Sequence, residues 1–361
     1  MLKQLYNQYL DRHFEKKLIA KVKADLSQCD VKPLSQGQKK DIQSYYQKTL
    51  GHKVPVYWHE YFSSRNDAFS VKYIPSSVHH VEIVYRLNYY DFRLAYVDKA
   101  LYDTFFPDVN RPTTVIKNIN GYFYDGNKSI TKAEALARCS SLPEAIIKPT
   151  LGGMRGQGVG FFSTDNGITD KGLPVEKVLS NYKVNYIVQE KVHQHEDMAR
   201  LNPTSLNTLR VLTYRDGDQI FALYAIARIG KSGQYIDNLS AGGVFADVNL
   251  ETGRVIKCGY GTYKENHLLT TSVGTPLDNY LIPSFDKVIS LAKELHTRLP
   301  YFNLIGWDFG IDEDGEPVFI EWNRNPDIYS QTAHGPAFGE MTDEILHRVR
   351  TLPDTKIVKY L

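Results

Sequence analysis

The chain is poor in cysteine, in long apolar runs and in net charge, and each shortage removes a class of protein. Only three cysteines occur, Cys29, Cys139 and Cys258, an odd number with no C-x-x-C spacing. Neither a disulfide scaffold nor a zinc site is therefore indicated, and a reducing cytoplasm fits best. No stretch approaches the roughly 18 consecutive apolar residues of a membrane span. The opening MLKQLYNQYLDRHFEKKLIAKVK is too charged for a signal peptide. A net charge of +2 over 361 residues leaves no electrostatic footprint for nucleic acid or an anionic membrane. Internal repeats and low-complexity segments are absent as well. What remains is an ordinary globular composition, 42% hydrophobic and 23% charged, in a chain long enough for more than one domain.

Periodicity divides the chain into three stretches. Leu2, Leu5, Tyr6, Tyr9 and Leu10, then Phe14, Leu18 and Val22, recur at helical spacing, and a second helix is expected from Gly37 to Leu50 with Gly51 as its stop. Residues 54–95 read as a mixture of short strands and helices around Pro55 and Pro75. Strands follow at TVIKNI, AIIKP, GFF and YIVQEKV. From 207 onward the reading is strand-rich: TLRVLTY, QIFALYAIARI, GGVFADVNL and GRVIKCGYG, then an amphipathic helix over 283–299 and a hairpin LIGWDFGI–DEDGEP–VFIEWN.

That last hairpin carries the first chemical signal. Glu321 and Asn323 lie two residues apart, so a strand presents both on one face. Taken alone, E-x-N is also what a solvated strand end looks like. Asp314-Gly315 is a type I′ turn signal, and a two-residue loop there pairs Glu313 with Glu316. Counting outward puts Asp308 opposite Glu321 and Gly306 opposite Asn323; an odd-length loop would break this register. Facing carboxylates repel unless neutralised. Hard oxygen donors in one patch, Asp308, Glu321 and Asn323, suggest a magnesium site.

A second signal lies in IIKPTLGGMRGQGVGFF, residues 146–162, with glycines at 152, 153, 156, 158 and 160. It is not a P-loop, for no G-K-[ST] follows, and its spacing is not the dinucleotide fingerprint. Between two apolar strands such a segment can lay backbone N–H groups on phosphates, with Lys148 at the strand end to neutralise them and Arg155 near the tip; a mobile surface hairpin is the plain alternative. The exit of NYIVQEKV can pair with an adenine edge, Gln189 or Glu190 adding an acceptor. Just beyond, Glu196, His193 or His195 could meet a ribose hydroxyl. The two histidines lack a third matching ligand for a metal.

In this order the residues resemble the ATP-grasp superfamily over about 96–330: Asp98-Lys99 before a short helix, a strand ending in Lys148, the glycine-rich lid, a hinge from Gln189 to Val192, Asp308, and a closing Glu321-x-Asn323. NTLRVLTY, AIARIG and DNLSAGG are most similar to the branch called sugar-transfer associated ATP-grasp, which is linked to bacterial surface polysaccharide genes. QGQKKDIQSYY and VYWHEYF extend the likeness more weakly. The resemblance implies an α+β fold with two subdomains gripping ATP, over 96–190 and 191–361, behind a helical or mixed region over 1–95. It implies two magnesium ions on Asp308, Glu321 and Asn323, and phosphates held by Lys99, Lys148 and the lid glycines 152, 153, 156 and 158. It further implies an adenine hinge at Gln189, Glu190 and Val192, with Glu196 on the ribose.

The activity implied is phosphorylation of a carboxylate to an acylphosphate, then attack by an amine. Arg210 and Arg228 (with Lys148) would stabilise the transferring phosphoryl group and the tetrahedral oxyanion. Asn238, Gly242 and Gly243 would shape the acceptor pocket, Arg324 would reach a phosphate or carboxylate, and Tyr329 and His334 would line the acceptor side. Both partners would be small molecules, one of them a sugar or sugar precursor, handled in the cytoplasm or at the inner membrane face. Two other readings keep the fold: a kinase acting on a hydroxyl, and a non-catalytic ATP-binding scaffold. Many ATP-grasp chains open with a parallel α/β domain. Residues 1–95 show few parallel-strand signals, so the substrates cannot be carried over from better-known members.

Overall fold

The computed structural model describes residues 2–89, 92–152, 157–235, 237 and 241–353. Helix α1 spans Leu2–Leu26 and α2 spans Gln36–Thr49. Ser35 caps α2 in a capping box with Gln38, and the chain leaves the helix through Gly51 at φ +86°. Helix α3, Tyr57–Asn66, follows. Val22 and Leu26 of α1 bury themselves against Trp58, Tyr61, Phe62 and Tyr73. The mixture of strands and helices expected over 54–95 is corrected: the described residues there form helices and a π-helical turn at His79–Ile83, with no strand. Their apolar groups pack as a helical layer on the second sheet, which leaves them no strand partner.

The first sheet is antiparallel with order β3-β2-β1-β8-β4-β5. Its strands are β1 Thr114–Ile119, β2 Tyr122–Asp125, β3 Lys128–Ile130, β4 Ala145–Pro149, β5 Gly160–Phe162 and β8 Tyr186–Glu190; β6 (Thr164–Asp165) and β7 (Ile168–Thr169) make a separate small ribbon. Alternation decides its faces. Ile116, Ile147 and Val188 point into a core with Ala135, Leu142, Val175 and Leu179. Lys117, Lys148, Ile187 and Gln189 point the other way, and all four line a pocket against the second sheet.

The second sheet has order β12-β11-β10-β9-β13-β14. Its strands are β9 Thr208–Asp216, β10 Gln219–Ile229, β11 Val244–Val248, β12 Val255–Tyr260, β13 Leu304–Ile311 and β14 Pro317–Asn323. One face packs under the helix Phe285–Thr297 through Leu209, Val211, Ala225, Trp307 and Phe309. On the other face Leu212, Tyr214, Tyr224 and Phe245 meet Ile42, Tyr46, Ile83 and Leu87 of the N-terminal helices. The molecule is thus α+β, two antiparallel lobes with a helical N-terminal region laid on the second. Among the described residues no helix is long and apolar enough to cross a membrane.

The β13–β14 hairpin reaches its expected register by an unexpected route. Ile311 pairs with Pro317 and Asp312 N–H donates to Glu316 O, so the loop is odd and the Glu313–Glu316 pairing does not form. A bulge between Asp308 and Phe309 on one side and Phe319 and Glu321 on the other adds Ile320 and restores the count. Asp308 then faces Glu321, and Gly306 faces Asn323. A Cβ on Gly306 would sit 2.8 Å from Pro326 Cβ, so glycine is required where the chain turns away from the site.

Candidate active site

Strand register lines up five side chains across five strands: Glu321 faces Asp308, Asp308 faces Arg210, Arg210 faces Ile226, and Ile226 faces Asp247. Arg228 lies two residues along β10 on the same face. Asp308, 2% exposed, is the centre. Arg210 donates to both its oxygens, Nε to Oδ1 at 2.7 Å and Nη2 to Oδ2 at 2.6 Å. Arg228 Nη1 adds 3.3 Å and Asn323 Nδ2 adds 3.4 Å, both to Oδ2. Burial alone would raise the Asp308 pKa, but the two guanidiniums outweigh it and hold the carboxyl below its ordinary value. Burial likewise opposes the Arg210 charge, and Asp308 more than restores it. The carboxylate repulsion expected from the sequence is therefore met by the protein's own cations. Arg228 also pairs with Asp237 at 3.3 Å, and Thr208 donates to the same carboxylate.

Across the cleft, Lys99 Nζ stands 3.2 Å from Glu321 Oε2, a contact between the loop ahead of the first lobe and the last strand of the second. Asp98 sets the loop by accepting from Ala100 N–H at 2.9 Å, and Lys99 N–H donates to Thr150 O beyond β4. Lys148 faces the same space. Burial, then the nearby Lys99 charge, pull its ammonium down to about 8, with Glu321 opposing. Lys99, Lys148, Lys117, Arg111, Gln189 and Phe319 line a narrow pocket between the sheets.

The cation donors fit a hard divalent ion: Asp308, Glu321 and the amide oxygen that Asn323 leaves free when its nitrogen turns to Asp308. Among the described residues no three His, Cys, Asp or Glu side chains form a metal-holding cluster.

Other expected residues are placed less centrally. Gln189 lines the pocket, its amide donating to Pro112 O and Thr114 Oγ1. Glu190 is exposed at the strand exit, with Val192 partly buried beyond it. Glu196, its side chain 77% exposed, pairs with Arg200 at 3.8 Å and lies outside the pocket lining. His195 Nδ1 accepts from Asp197 N–H, capping a short helix, and His193 stands 3.6 Å from Glu144. Gly152 and Gly158 adopt φ +76° and +75°, the left-handed region that favours glycine. Gly242 has φ +84°, and a Cβ there would meet Lys231 Cδ at 2.9 Å; Gly243 is buried beside it. Arg324 is partly buried, its carbonyl held by Asn88 Nδ2 at 2.7 Å. His334 stacks on Tyr224 and meets Ser330 Oγ at 3.1 Å, while Tyr329 turns to Asp25. Asn238, Gly153, Gly156 and Arg155 lie outside the described residues.

Several site residues escaped the sequence reading. Lys117 is buried beside Asp103; its signal was a charge inside the apolar strand TVIKNI. Tyr102 lies on the pocket floor near Glu321. Asp247 ends the row beyond the apolar Ile226, and burial raises its carboxyl to about 7. Its mark in the sequence was a lone acid in VFADV, indistinguishable from an outward-facing residue until β11 is paired.

A family model for sugar-transfer associated ATP-grasp matches residues 85–346. Among curated proteins nothing matches. Solved structures with a similar course include the ATP-grasp ligase PsnB complexed with a minimal precursor (13% identity, 70% of this chain and 62% of that one, TM-score 0.40). D-alanyl-alanine synthetase A from Vibrio cholerae is similar at 14% identity, 71% and 64% coverage and TM-score 0.41. The L-amino acid ligase from Bacillus licheniformis follows at 10%, 75% and 49%, and 0.38. The chain spans less than two thirds of the length of each.

Proposed function

This chain belongs to the sugar-transfer associated ATP-grasp family, and from that premise we propose that it is an ATP-dependent, ADP-forming carboxylate–amine ligase. We infer that it joins an amino acid or similar unit to a sugar or sugar precursor in bacterial surface polysaccharide assembly. The observation that carries the reading is the Lys99–Glu321 contact, where a phosphate-side ammonium of one lobe meets a cation-side carboxylate of the other.

In this reading Asp308, Glu321 and Asn323 hold magnesium, which when bound supplies charge neutralisation along the triphosphate. Lys99 and Lys148 bind phosphate oxygens, and the lid backbone around Gly152 and Gly158 covers them. Gln189, Glu190 and Val192 receive the base, while Glu196 stands in solvent beyond them. Arg210 and Arg228 face the negative charge that develops on the phosphoryl group in flight and later on the tetrahedral oxyanion, held ready by Asp308 so that little reorganisation is needed. Asn238, Gly242, Gly243 and Arg324 border the substrate. The carboxylate oxygen attacks the γ-phosphorus and ADP leaves; the amine then displaces phosphate from the acyl carbon.

Hydroxylamine trapping tests the reading. Protein, Mg-ATP and a panel of amino acids and uronic acids are incubated with hydroxylamine, and hydroxamate and ADP are scored. A hydroxamate with at least one acid, absent in Glu321→Gln, is expected. ADP without hydroxamate across the panel would point to hydroxyl phosphorylation instead.

A further inference from the structure

The loop that leaves Asn323 is gripped by residues outside the family match. His79 Nε2 meets Pro326 O at 2.8 Å, and His80 Nδ1 meets Asn325 Oδ1 at 2.6 Å. Tyr329 Oη donates to Asp25 Oδ2 at 3.3 Å, and the Lys21 ammonium sits 4.4 Å from the Tyr329 ring centre. Gln331 bonds both the N–H and the carbonyl of Ile74, at 2.8 and 3.0 Å. The matched region begins at residue 85, so this clamp is the N-terminal region's own contribution.

The two sides of the reaction centre differ in charge. Lys99, Lys148, Arg210 and Arg228 gather on the phosphate side. On the clamp side the buried carboxylate of Asp25 and the partly exposed one of Asp327 stand with the exposed ammonium of Lys21, and the buried Arg65 guanidinium lies behind Tyr61. Asp327 Oδ1 accepts from Tyr329 N–H at 2.8 Å, and its second oxygen bonds no described residue. His80 is partly exposed beside it. Its Nδ1 is committed to Asn325, which leaves Nε2 as the nitrogen that can take a proton. Burial lowers the His80 pKa, Lys21 adds to this, and Asp327 and Asn325 oppose it, while the His79 ring packs 4.9 Å away. The turn carrying both histidines is π-helical, a distortion concentrated at functional sites. Around it the buried His79 Nδ1, Ser76 Oγ and Ser77 Oγ lack partners among the described residues.

We propose that this clamp is the amine subsite of the ligase, Asp327 holding the substrate's ammonium group and His80 accepting its proton. The inference rests on the ligase reading above and adds the two groups of this chain that would recognise its amine. The ammonium gives one proton to His80 Nε2, which exposes the lone pair. That pair forms the C–N bond to the acyl carbon, the C–O bond to phosphate breaks with its electrons on phosphate, and the nitrogen's second proton leaves with the phosphate.

The test follows the His80 ring signal by NMR in the full-length protein, assigned by its loss in His80→Gln. Glucosamine, glycinamide and ethanolamine are the probes, each against its N-acetylated counterpart. At least one amine is expected to shift the signal saturably while its acetylated form does not, and Asp327→Asn is expected to raise that dissociation constant tenfold or more. Asn keeps the acceptor for Tyr329 N–H, and a matching melting temperature shows that the loop is intact. No shift from any probe, equal shifts from the acetylated forms, or an unchanged constant in Asp327→Asn overturns the proposal. None of these readouts needs turnover, so failure of the ligase reading, seen as absent hydroxamate in wild type, is distinguished from failure of the subsite.

Discussion

The two walls of the cleft carry opposite solutions to buried charge. On the second lobe Asp308 is neutralised by Arg210 and Arg228 and bonded by Asn323, mostly through Oδ2. On the first lobe Lys148 makes no ion pair with a described residue, and burial and Lys99 depress its ammonium to about 8. A paired network sets geometry; an unpaired cation waits for an anion. On the proposed function one wall of the cleft serves the reaction and the other the nucleotide, and substitutions should separate the two.

The largest effect is expected at Asp308. Asp308→Asn leaves two guanidiniums facing a neutral amide, so it should cost about 3 kcal/mol or more of stability as well as abolish turnover, read by denaturant unfolding and ADP release. Glu321→Gln sharpens the contrast: turnover should vanish while stability changes by less than about 1 kcal/mol, because the Glu321 side chain is itself about a third exposed, 31%. Lys148→Gln should do the reverse of Asp308→Asn. Removing an unpaired ammonium should leave melting unchanged or slightly higher, while Mg-ATP affinity falls by about 1.5–3 kcal/mol, the worth of a charged hydrogen bond, measured by calorimetry.

A pH series tests the same wall. Lys148 is charged below its depressed pKa and neutral above it. Mg-ATP affinity should therefore be full near pH 7 and weaken as pH rises through about 8, and Lys148→Gln should flatten that fall. A fall that persists in Lys148→Gln would assign it to another group. The smallest effect is expected at Glu196, which is exposed and outside the pocket lining. Glu196→Gln should change nucleotide affinity by less than about a factor of two, and a larger loss would restore it to the ribose side.

Legibility in the sequence followed the range of the interaction. Strands such as 219–229 and the facing of Asp308 with Glu321 could be read, since alternation and turn chemistry act over a few residues. The route to that facing could not: a loop of odd length and a bulge at Ile320 cancel, and neither alone leaves a mark in composition. The placement of Glu196 near a ribose was suggested by its position after a hinge, yet a short helix capped by His195 carries it into solvent.

By itself the sequence determined the strands, the glycine positions and the order in which lysines, lid and E-x-N strand recur, because these depend on local sterics and two-residue periodicity. Only the tertiary structure decided that Arg210 and Arg228 neutralise Asp308, that Asp247 joins their row, and that His80 reaches the loop after Asn323. Those contacts join residues 98, 80 and 245 positions apart, as in Arg210–Asp308, Arg228–Asp308 and His80–Asn325, and only the pairing of strands and the docking of the N-terminal helices can set them.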